Sequence, residues 1–441
     1  MAVAEVQNPA QNGRMRQTGM GFFWLSAFYV VYCARPEDWI PGLGIIPLAK
    51  ITGIGALLAF LAGAGRGKRK LKDLPPESHY LLALIGILIL SSLLSPVWRA
   101  GAVSRTQDFA KVYIVWVLTF LLVTDLMKFR RLVFIQAASV PVICLVSVIK
   151  GRGMERLEGV LGGIYSNPND LAFAIVLSLP FCLMFLLTAR SKFRKLLWAA
   201  GMLIMAKALF MTASRGGFIT LVVAGAVCLW HFGVRGKRLY LIAITGVLGV
   251  LLFATQGGTL KERLFSMWSD QSDLDTAQER KAYGSLEQRS FLMHRAIEGI
   301  EHYPVLGIGT RNFETYSLVW REVHMTYLQI AVEGGIPSLI LFLMFFARGF
   351  RNLRQLLKRK DLSPDVRLFA GALHSSLIGF VVGAFFSPEA YQFFPFFAVA
   401  YTSALLATVR ENDRAVAPAL VAVSPVLAAP LVKTSRIPVN M

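Results

Sequence analysis

Long apolar runs separated by short polar segments recur along the chain, from about residue 20 to about residue 409. A helix of about 20 apolar residues matches a hydrocarbon core about 30 Å thick. Inside lipid, the backbone satisfies its own hydrogen bonds only in helices or closed barrels, and these uninterrupted runs favour helices. The pattern predicts twelve membrane spans, at about residues 20–34, 43–64, 79–98, 110–125, 132–149, 170–189, 197–213, 217–234, 239–256, 325–347, 367–387 and 391–409.

Lysine and arginine concentrate in alternate connections between these runs. The basic connections are residues 65–77, 126–131, 190–195, 235–238 and 348–367. Cytoplasmic loops of membrane proteins carry such an excess of positive charge. We therefore expect both termini in the cytoplasm and every odd-numbered connection in the periplasm.

The composition changes this picture little, but it excludes several classes of protein. With 55% hydrophobic and 16% charged residues, the chain is not a soluble globular protein. Its formal charge of +20 is spread over separate loops, whereas a nucleic-acid-binding face needs one contiguous basic surface. We therefore expect no nucleic-acid partner. No disulfide or zinc site is predicted either. The four cysteines lie within apolar runs, and none is spaced from another cysteine or a histidine as metal ligands are: Cys33, Cys144, Cys182 and Cys228.

The connection between the ninth and tenth spans, residues 257–324, is a long polar segment on the predicted periplasmic side. Connections of this length are usually functional or disordered. Its first half has no periodicity, so we expect it to be mobile. In the second half, Ser285 and Gln288 form a capping box and Pro304 ends the helical pattern, which predicts a periplasmic helix at about 286–301.

These patterns divide the chain into four parts. Residues 1–256 hold the first nine spans, residues 257–324 form the periplasmic loop, and residues 325–409 hold the last three spans. Prolines interrupt the apolar run that follows. Residues 410–441 are therefore predicted to form a disordered cytoplasmic tail.

Arg289 lies within an apolar stripe of the predicted periplasmic helix. A guanidinium in such a position is costly unless an anion meets it, so Arg289 is a candidate anion ligand. A structural ion pair or a snorkelling side chain is the alternative. At helical spacing its own face also contains Met293, Ala296 and Ile300, and the opposite, solvated face contains His294, Arg295, Glu298 and Glu301.

Arg215 and His324 are the other candidates for chemistry. Arg215 lies in a Ser-Arg-Gly-Gly hairpin between the seventh and eighth spans, where glycines permit close backbone approach and a fixed arginine can bind phosphate oxygens. His324 opens the tenth span, and a neutral imidazole there can accept a proton from a hydroxyl group. A nearby arginine would keep it neutral. A purely structural role at the membrane interface is the alternative for both.

Polar residues elsewhere carry weaker signals. Asn167 and Asn169 precede the sixth span, where a helix N-cap is a sufficient explanation, although they also face the predicted periplasm. Asp273 and Asp275 form a DxD pair of the kind that holds a metal with a nucleotide sugar. Because nucleotide sugars are cytoplasmic and this pair is predicted to be periplasmic, we do not expect a metal site there.

Lys207 and Glu333 are charged residues well inside predicted spans that the motifs above do not explain. They lie at similar depths, each about 12–13 Å below the periplasmic surface at 1.5 Å per residue. A buried charge is costly unless it is paired or neutral. The matching depths predict an ion pair between them, with Lys50 as a rival partner and capping of the break at Gly334 by Glu333 as a further alternative.

In combination, these segments resemble the O-antigen ligase and polymerase superfamily over about residues 160–345. The resemblance is carried by an Asn-Pro-Asn turn at 167–169, the hairpin at 214–217, the segment Pro-Val-Leu-Gly-Ile-Gly-Thr-Arg-Asn-Phe at 304–313, and His324 followed by Glu-Gly-Gly at 333–335. The family commonly has asparagine after this histidine, whereas this chain has Met325. That difference concerns the part of the site that would bind the acceptor.

The resemblance implies an all-α, GT-C-like polytopic protein of the bacterial inner membrane. It implies a metal-independent glycosyltransferase, without a cofactor, that moves a glycan from undecaprenyl diphosphate to a hydroxyl of lipid A core, a protein or another glycan. In the family's pattern, Arg215 and Arg289 bind the diphosphate and His324 acts as the base. The further substrate-binding candidates are Arg311, Asn167, Asn169, Glu333 and Lys207.

Two alternative functions stay open. A polymerase of the same superfamily uses another lipid-linked repeat unit as acceptor, and these motifs do not separate it from a ligase. A transporter or flippase is a different class. It is disfavoured because the large loop is periplasmic and follows the ninth span, and because no internal repeat is visible.

Overall fold

The computed structural model describes residues 9–63, 68–154, 156–157, 162–256, 258, 261 and 277–423. Over these ranges the chain is helical and contains no strand. The helices are α1 Pro9–Ala34, α2 Leu48–Gly63, α3 Pro76–Leu93, α4 Arg99–Leu122, α5 Leu126–Lys150, α6 Pro168–Thr188, α7 Lys192–Thr212, α8 Arg215–Leu229, α9 Tyr240–Gln256, α10 Ala277–His302, α11 Thr326–Lys358, α12 Pro364–Gly383 and α13 Phe393–Val423.

Polar side chains fix where several helices begin. Asp125, Ser191, Ser214 and Ser363 each accept a hydrogen bond from the backbone N–H three residues later. These bonds satisfy amides that have no partner within the helix. The starts of these four helices are therefore sharply defined.

The described chain is a polytopic α-helical membrane protein. Eight of its helices are long and apolar enough to cross a membrane, and three shorter apolar helices are Gly19–Ala34, Leu48–Gly63 and Tyr240–Thr255. Helix α4 overlaps the remaining predicted span but starts at Arg99, earlier than the predicted residue 110. Each predicted span thus coincides with a helix, whereas twelve crossings of the membrane stay a prediction.

An aromatic core holds the centre of the bundle. Phe342, Phe345 and Phe346 of α11 pack against Phe380 of α12 and Phe396 of α13, and all five rings are buried. Helix association in lipid depends on close packing, because lipid tails are as apolar as the side chains themselves. Exposed apolar residues are frequent on α2 and α9, which suits contact with lipid.

Six connections meet at one end of the bundle, here called the site end. They follow α1, α3, α5, α7, α10 and α12. The Tyr165 hydroxyl donates to the Cys33 carbonyl at 2.7 Å, and the Ser95 hydroxyl donates to the Ile308 carbonyl at 2.6 Å. All six belong to the odd-numbered connections that are predicted to face the periplasm, and the one after α10 is the last part of the long connection at residues 257–324. The opposite, distal end contains the Arg69–Glu411 ion pair at 2.6 Å.

Two segments differ from expectation. The helix predicted at 286–301 is longer, since α10 begins at Ala277. The tail predicted to be disordered from residue 410 is helical as far as Val423, because Glu411 and Asp413 pair with Arg69 and Arg359. Residues 424–441, the acidic pair Asp273 and Asp275, and most of the loop half predicted to be mobile lie outside the described residues.

Candidate functional site

Helix α11 is broken at the site end, and a loop fills the break. Gly335 has φ 78° and ψ 169°, which interrupts the helix. The carbonyls of Val332 and Glu333 accept hydrogen bonds from the amides of Ile308 and Gly309, each at 2.9 Å. The break therefore exchanges hydrogen bonds with the segment 304–309. The segment 304–313 and the Glu-Gly-Gly segment 333–335, two motifs of the family resemblance, thus form the two halves of one joint.

Glycine is required on both sides of this joint. A Cβ on Gly335 would lie 2.1 Å from the Val305 carbonyl oxygen, and a Cβ on Gly307 would lie 2.5 Å from the Glu333 carbonyl carbon. Both glycines also have positive φ, which side chains rarely adopt. The backbones can approach closely only because these side chains are absent.

The same loop is fixed to the ends of α3 and α4 by buried polar groups. Asn312 Nδ2 donates to Ser95 Oγ at 2.8 Å and to the Ile308 carbonyl at 2.9 Å. The hydroxyls of Thr106 and Thr310 are 2.7 Å apart. Fully bonded polar groups of this kind hold one conformation. The loop between α10 and α11 is thus a rigid part of the bundle near the site.

Helix α10 docks on a small apolar cluster. The buried cluster consists of Leu292, Ala296, Ile308, Phe313, Val323 and Val332. Gly299 continues this face, since a Cβ there would lie 2.7 Å from Val332. Arg289 lies at the start of the buried face and is itself partly buried, as the predicted stripe requires.

The solvated face of α10 is rotated by part of a helical turn from the predicted one, so that prediction is wrong. Arg295 is three-quarters buried, pairs with Glu298 at 2.5 Å and lies over the Tyr316 ring at 5.0 Å. Met293, predicted on the buried stripe, is exposed. The loop covers one side of α10, and a helical wheel does not contain that information.

His324 lies in the loop just before α11 and is partly buried. Its Nδ1 atom is buried and has no hydrogen-bond partner among the described residues. Burial, and then the positive charges of Arg289 and Arg321, lower its pKa to about 4. The imidazole is therefore neutral near pH 7 and retains the capacity to accept a proton.

Arg215 begins α8 and is 5% exposed. Its neighbours hold it tightly: the Ser214 hydroxyl donates to Asn169 Oδ1 at 2.7 Å, and a Cβ on Gly216 would lie 2.4 Å from Phe386. The Gly217 amide donates to Ser214 Oγ, so it is not open to a ligand. The two glycines serve the packing of the hairpin, and Asn169 positions the turn that holds Arg215.

Thr326 connects the hairpin region to His324. Its hydroxyl donates to the Ser387 carbonyl at 2.6 Å and accepts from the Glu389 amide at 2.9 Å, and its amide donates to the Ala384 carbonyl at 2.8 Å. The 384–389 connection also carries Phe386 against Gly216. Arg215, Arg289 and His324 therefore belong to adjoining elements of the site end.

A group of carboxylates surrounds Arg311, which has φ 56° and is partly buried. Arg311 faces Asp170, Glu322 and Glu333 electrostatically. Burial raises the pKa of Glu322 to about 7, against the favourable effect of Arg311. Burial and the charge of Asp170 hold the pKa of Glu389 well above its usual range. Arg311 thus has a clear structural task as the counter-charge of this group.

Sequence reasoning missed Glu322 and Glu389. Glu322 lies near the end of the long predicted periplasmic connection and Glu389 lies in the short one between the last two spans. Each is a carboxylate in largely apolar surroundings, which was the available signal. Asp170, at the start of the sixth span, belongs to the same group. In the structure Asn167 is the N-cap of this helix and accepts from the Asn169 amide at 2.9 Å. No cluster of three or more potential ligands among the described residues has the geometry of a metal site.

The predicted ion pair between Lys207 and Glu333 is wrong. Lys207 is exposed on the outer side of α7, and the rival Lys50 is exposed on α2. Glu333 is 1% exposed, accepts from the Phe313 amide at 3.4 Å and has Tyr391 beside its carboxylate. Equal depth in the membrane does not fix which side of a helix a residue occupies. Lys207 is therefore not tied to the site through Glu333.

Comparison with known proteins identifies the region that contains most of these residues. Residues 200–343 match the family described as O-antigen ligase. No curated protein matches the chain. The matched segment includes Arg215, Arg289, Arg311, His324 and Glu333, and the resemblance noted from the motifs is thereby confirmed.

Proposed function

We propose that this chain is a ligase that transfers a glycan from undecaprenyl diphosphate to an acceptor hydroxyl. The proposal is supported by the match of residues 200–343 to the O-antigen ligase family. The acceptor oxygen attacks the anomeric carbon of the donor glycan and forms the new glycosidic bond. The bond from that carbon to the diphosphate oxygen breaks, and undecaprenyl diphosphate leaves. The acceptor proton passes to the base.

The observation that carries the proposal is the state of His324. A general base must be unprotonated at working pH and must have a nitrogen available to the reacting hydroxyl. A pKa of about 4 supports the first condition, and an Nδ1 atom that no described residue uses as a hydrogen-bond partner supports the second. His324 is accordingly the proposed base.

Arg289 and Arg215 are the proposed ligands of the diphosphate. The negative charge of the leaving group grows as the glycosidic bond breaks, and fixed guanidinium groups stabilise that charge. Arg289 lies close enough to His324 to lower its pKa, which puts a positive charge beside the base. Arg215 is held by the packing of Gly216 and by the Ser214 cap. No metal ion takes part in this scheme.

Alanine variants test these assignments. His324→Ala should lower the transfer rate by about 10²–10⁴-fold, as loss of a general base does. Arg289→Ala and Arg215→Ala should also abolish transfer while protein levels in the membrane stay normal, and EDTA should have no effect. His294→Ala is the matched control on α10, since His294 is exposed. Equal damage by His294→Ala and Arg289→Ala would contradict the proposal.

A deletion strain separates the ligase from a polymerase of the same superfamily. Loss of a ligase leaves lipid A core undecorated, whereas loss of a polymerase leaves single repeat units in place of long chains. We expect the undecorated core, restored by the wild-type chain and not by His324→Ala. Single repeat units would indicate polymerisation, and an unchanged surface polysaccharide would contradict both.

A further inference from the structure

A cavity of about 720 Å³ opens at the distal end, away from the proposed transfer site. It lies among the start of α3, the end of α4, the second half of α11 and the end of α13. Five basic and three acidic side chains line it, which leaves an excess of two positive charges. Glycan transfer at the other end of the molecule does not explain this cavity.

The inner wall contains a buried carboxylate with one oxygen left over. Glu77 is 1% exposed, and its Oε1 accepts from Asn352 Nδ2 at 2.7 Å and from Ser403 Oγ at 2.5 Å. Among the residues that the structure describes, its buried Oε2 has no hydrogen-bond partner: Arg348 Nε forms an ion pair with it at 3.6 Å but is too far away to donate a hydrogen bond. A buried carboxylate oxygen in this state needs a donor.

The outer wall is cationic. Lys68, Arg410 and Arg414 line the cavity and are exposed; Arg410 donates to Gln355 Oε1 at 2.6 Å, but this partner is neutral, so all three positive charges stay available to a ligand. Arg69 is already used, since it pairs with Glu411 at 2.6 Å and donates to the Phe120 carbonyl at 2.8 Å. The cavity therefore offers positive charge at its mouth and an acceptor at its inner wall.

We propose that this cavity binds a phosphate ester whose other end carries a hydrogen-bond donor. The phosphate would meet Lys68 and Arg410, and the ammonium or hydroxyl group would donate to Glu77 Oε2. Basic side chains bind phosphate through charge-assisted hydrogen bonds. The headgroup of a phospholipid and a water-soluble phosphate ester share this chemistry, and binding measurements distinguish the two sources.

The test uses the full-length chain, purified in detergent and stripped of lipid, with binding followed by native mass spectrometry. The lipid probes are phosphatidylethanolamine, phosphatidylglycerol and phosphatidylcholine in mixed micelles. The soluble probes are phosphoethanolamine and glycerol phosphate. Phosphatidylcholine keeps the phosphate but has no donor, so it should bind more weakly than phosphatidylethanolamine if Glu77 takes part.

Lys68→Gln combined with Arg410→Gln should weaken binding about tenfold or more, the effect of losing charge-assisted hydrogen bonds. Arg351→Gln combined with Arg354→Gln is the matched control, since both residues are exposed on α11 and lie outside the cavity. Binding of lipids alone assigns the site to a headgroup, and binding of soluble esters assigns it to a metabolite. Equal weakening in both double variants, or no binding of any probe, would overturn the proposal.

Discussion

At the scale of single residues, the charges around His324 decide its protonation. Burial disfavours the imidazolium form, and Arg289 and Arg321 disfavour it further. Of these two arginines, only Arg289 is a proposed ligand of the donor diphosphate. Arg321 is exposed and lies in the loop before α11, so it acts on His324 through its charge. This separation allows the protonation of the base to be tested without removing a substrate ligand.

Arg321→Gln is predicted to move the acid limb of the pH–rate profile to higher pH. With a His324 pKa of about 4, the neutral base and hence the rate are lost as the pH falls through about 4. Removing a nearby positive charge raises that pKa, so the loss should begin at higher pH. The profile of kcat/KM for purified protein measures this shift, with Arg351→Gln as the control. An acid limb that stays in place would mean that His324 is not the titrating base.

Glu322 predicts a pH dependence of stability. Its pKa is raised from about 4.5 to about 7, so the contribution of its protonated form to stability is complete below pH 4.5 and is lost as the pH rises through about 7. Glu322→Gln should therefore flatten the fall in melting temperature over this range. Arg311→Gln should steepen it, because Arg311 lowers the pKa of Glu322.

Melting curves of the detergent-solubilised protein between pH 4.5 and 8 measure both effects. Glu301→Gln is the control, since Glu301 is exposed on α10. If Glu322→Gln and Glu301→Gln behaved alike, the carboxylate group around Arg311 would not be a coupled unit.

At the scale of elements, the joint between α11 and the segment 304–309 organises the site. The sequence contains both halves as separate motifs, and local pattern alone does not show that they touch. Positive φ at Gly307 and Gly335 and the exchange of backbone hydrogen bonds are properties of the assembled pair. The free amides and carbonyls of a broken helix need such partners where water is absent.

Gly335→Ala is predicted to destabilise the protein by at least about 1–3 kcal/mol, the cost of an unfavourable backbone conformation. A clash adds to this cost, because the new Cβ would lie 2.1 Å from the Val305 carbonyl oxygen. The melting temperature should fall, and transfer should fall with it as the loop before His324 moves. Gly246→Ala is the control, since a Cβ there meets nothing within 4 Å. A melting temperature unchanged by Gly335→Ala would contradict the joint.

At the scale of the whole molecule, the sequence predicts what depends on local pattern. The positions of the helices follow from apolar runs, and the choice of Arg215, Arg289 and His324 as candidate site residues follows from motifs. The predictions that are wrong concern features that depend on contacts between distant elements. The depth of Lys207 in the membrane does not determine which side of its helix it occupies. The helical end of α13 depends on ion pairs such as that of Arg69 with Glu411.

The arrangement of the two ends leads to a prediction of topology. The predicted periplasmic connections meet at the site end with His324, whereas the basic connections and the cavity lined by Lys68 and Arg410 lie at the distal end. Because basic loops stay in the cytoplasm, the site end should face the periplasm. An alkaline phosphatase fusion after His302 should be active and one after Arg354 inactive, and β-galactosidase fusions should give the reverse. The opposite result would place His324 in the cytoplasm and remove the proposed transfer to an acceptor outside the membrane.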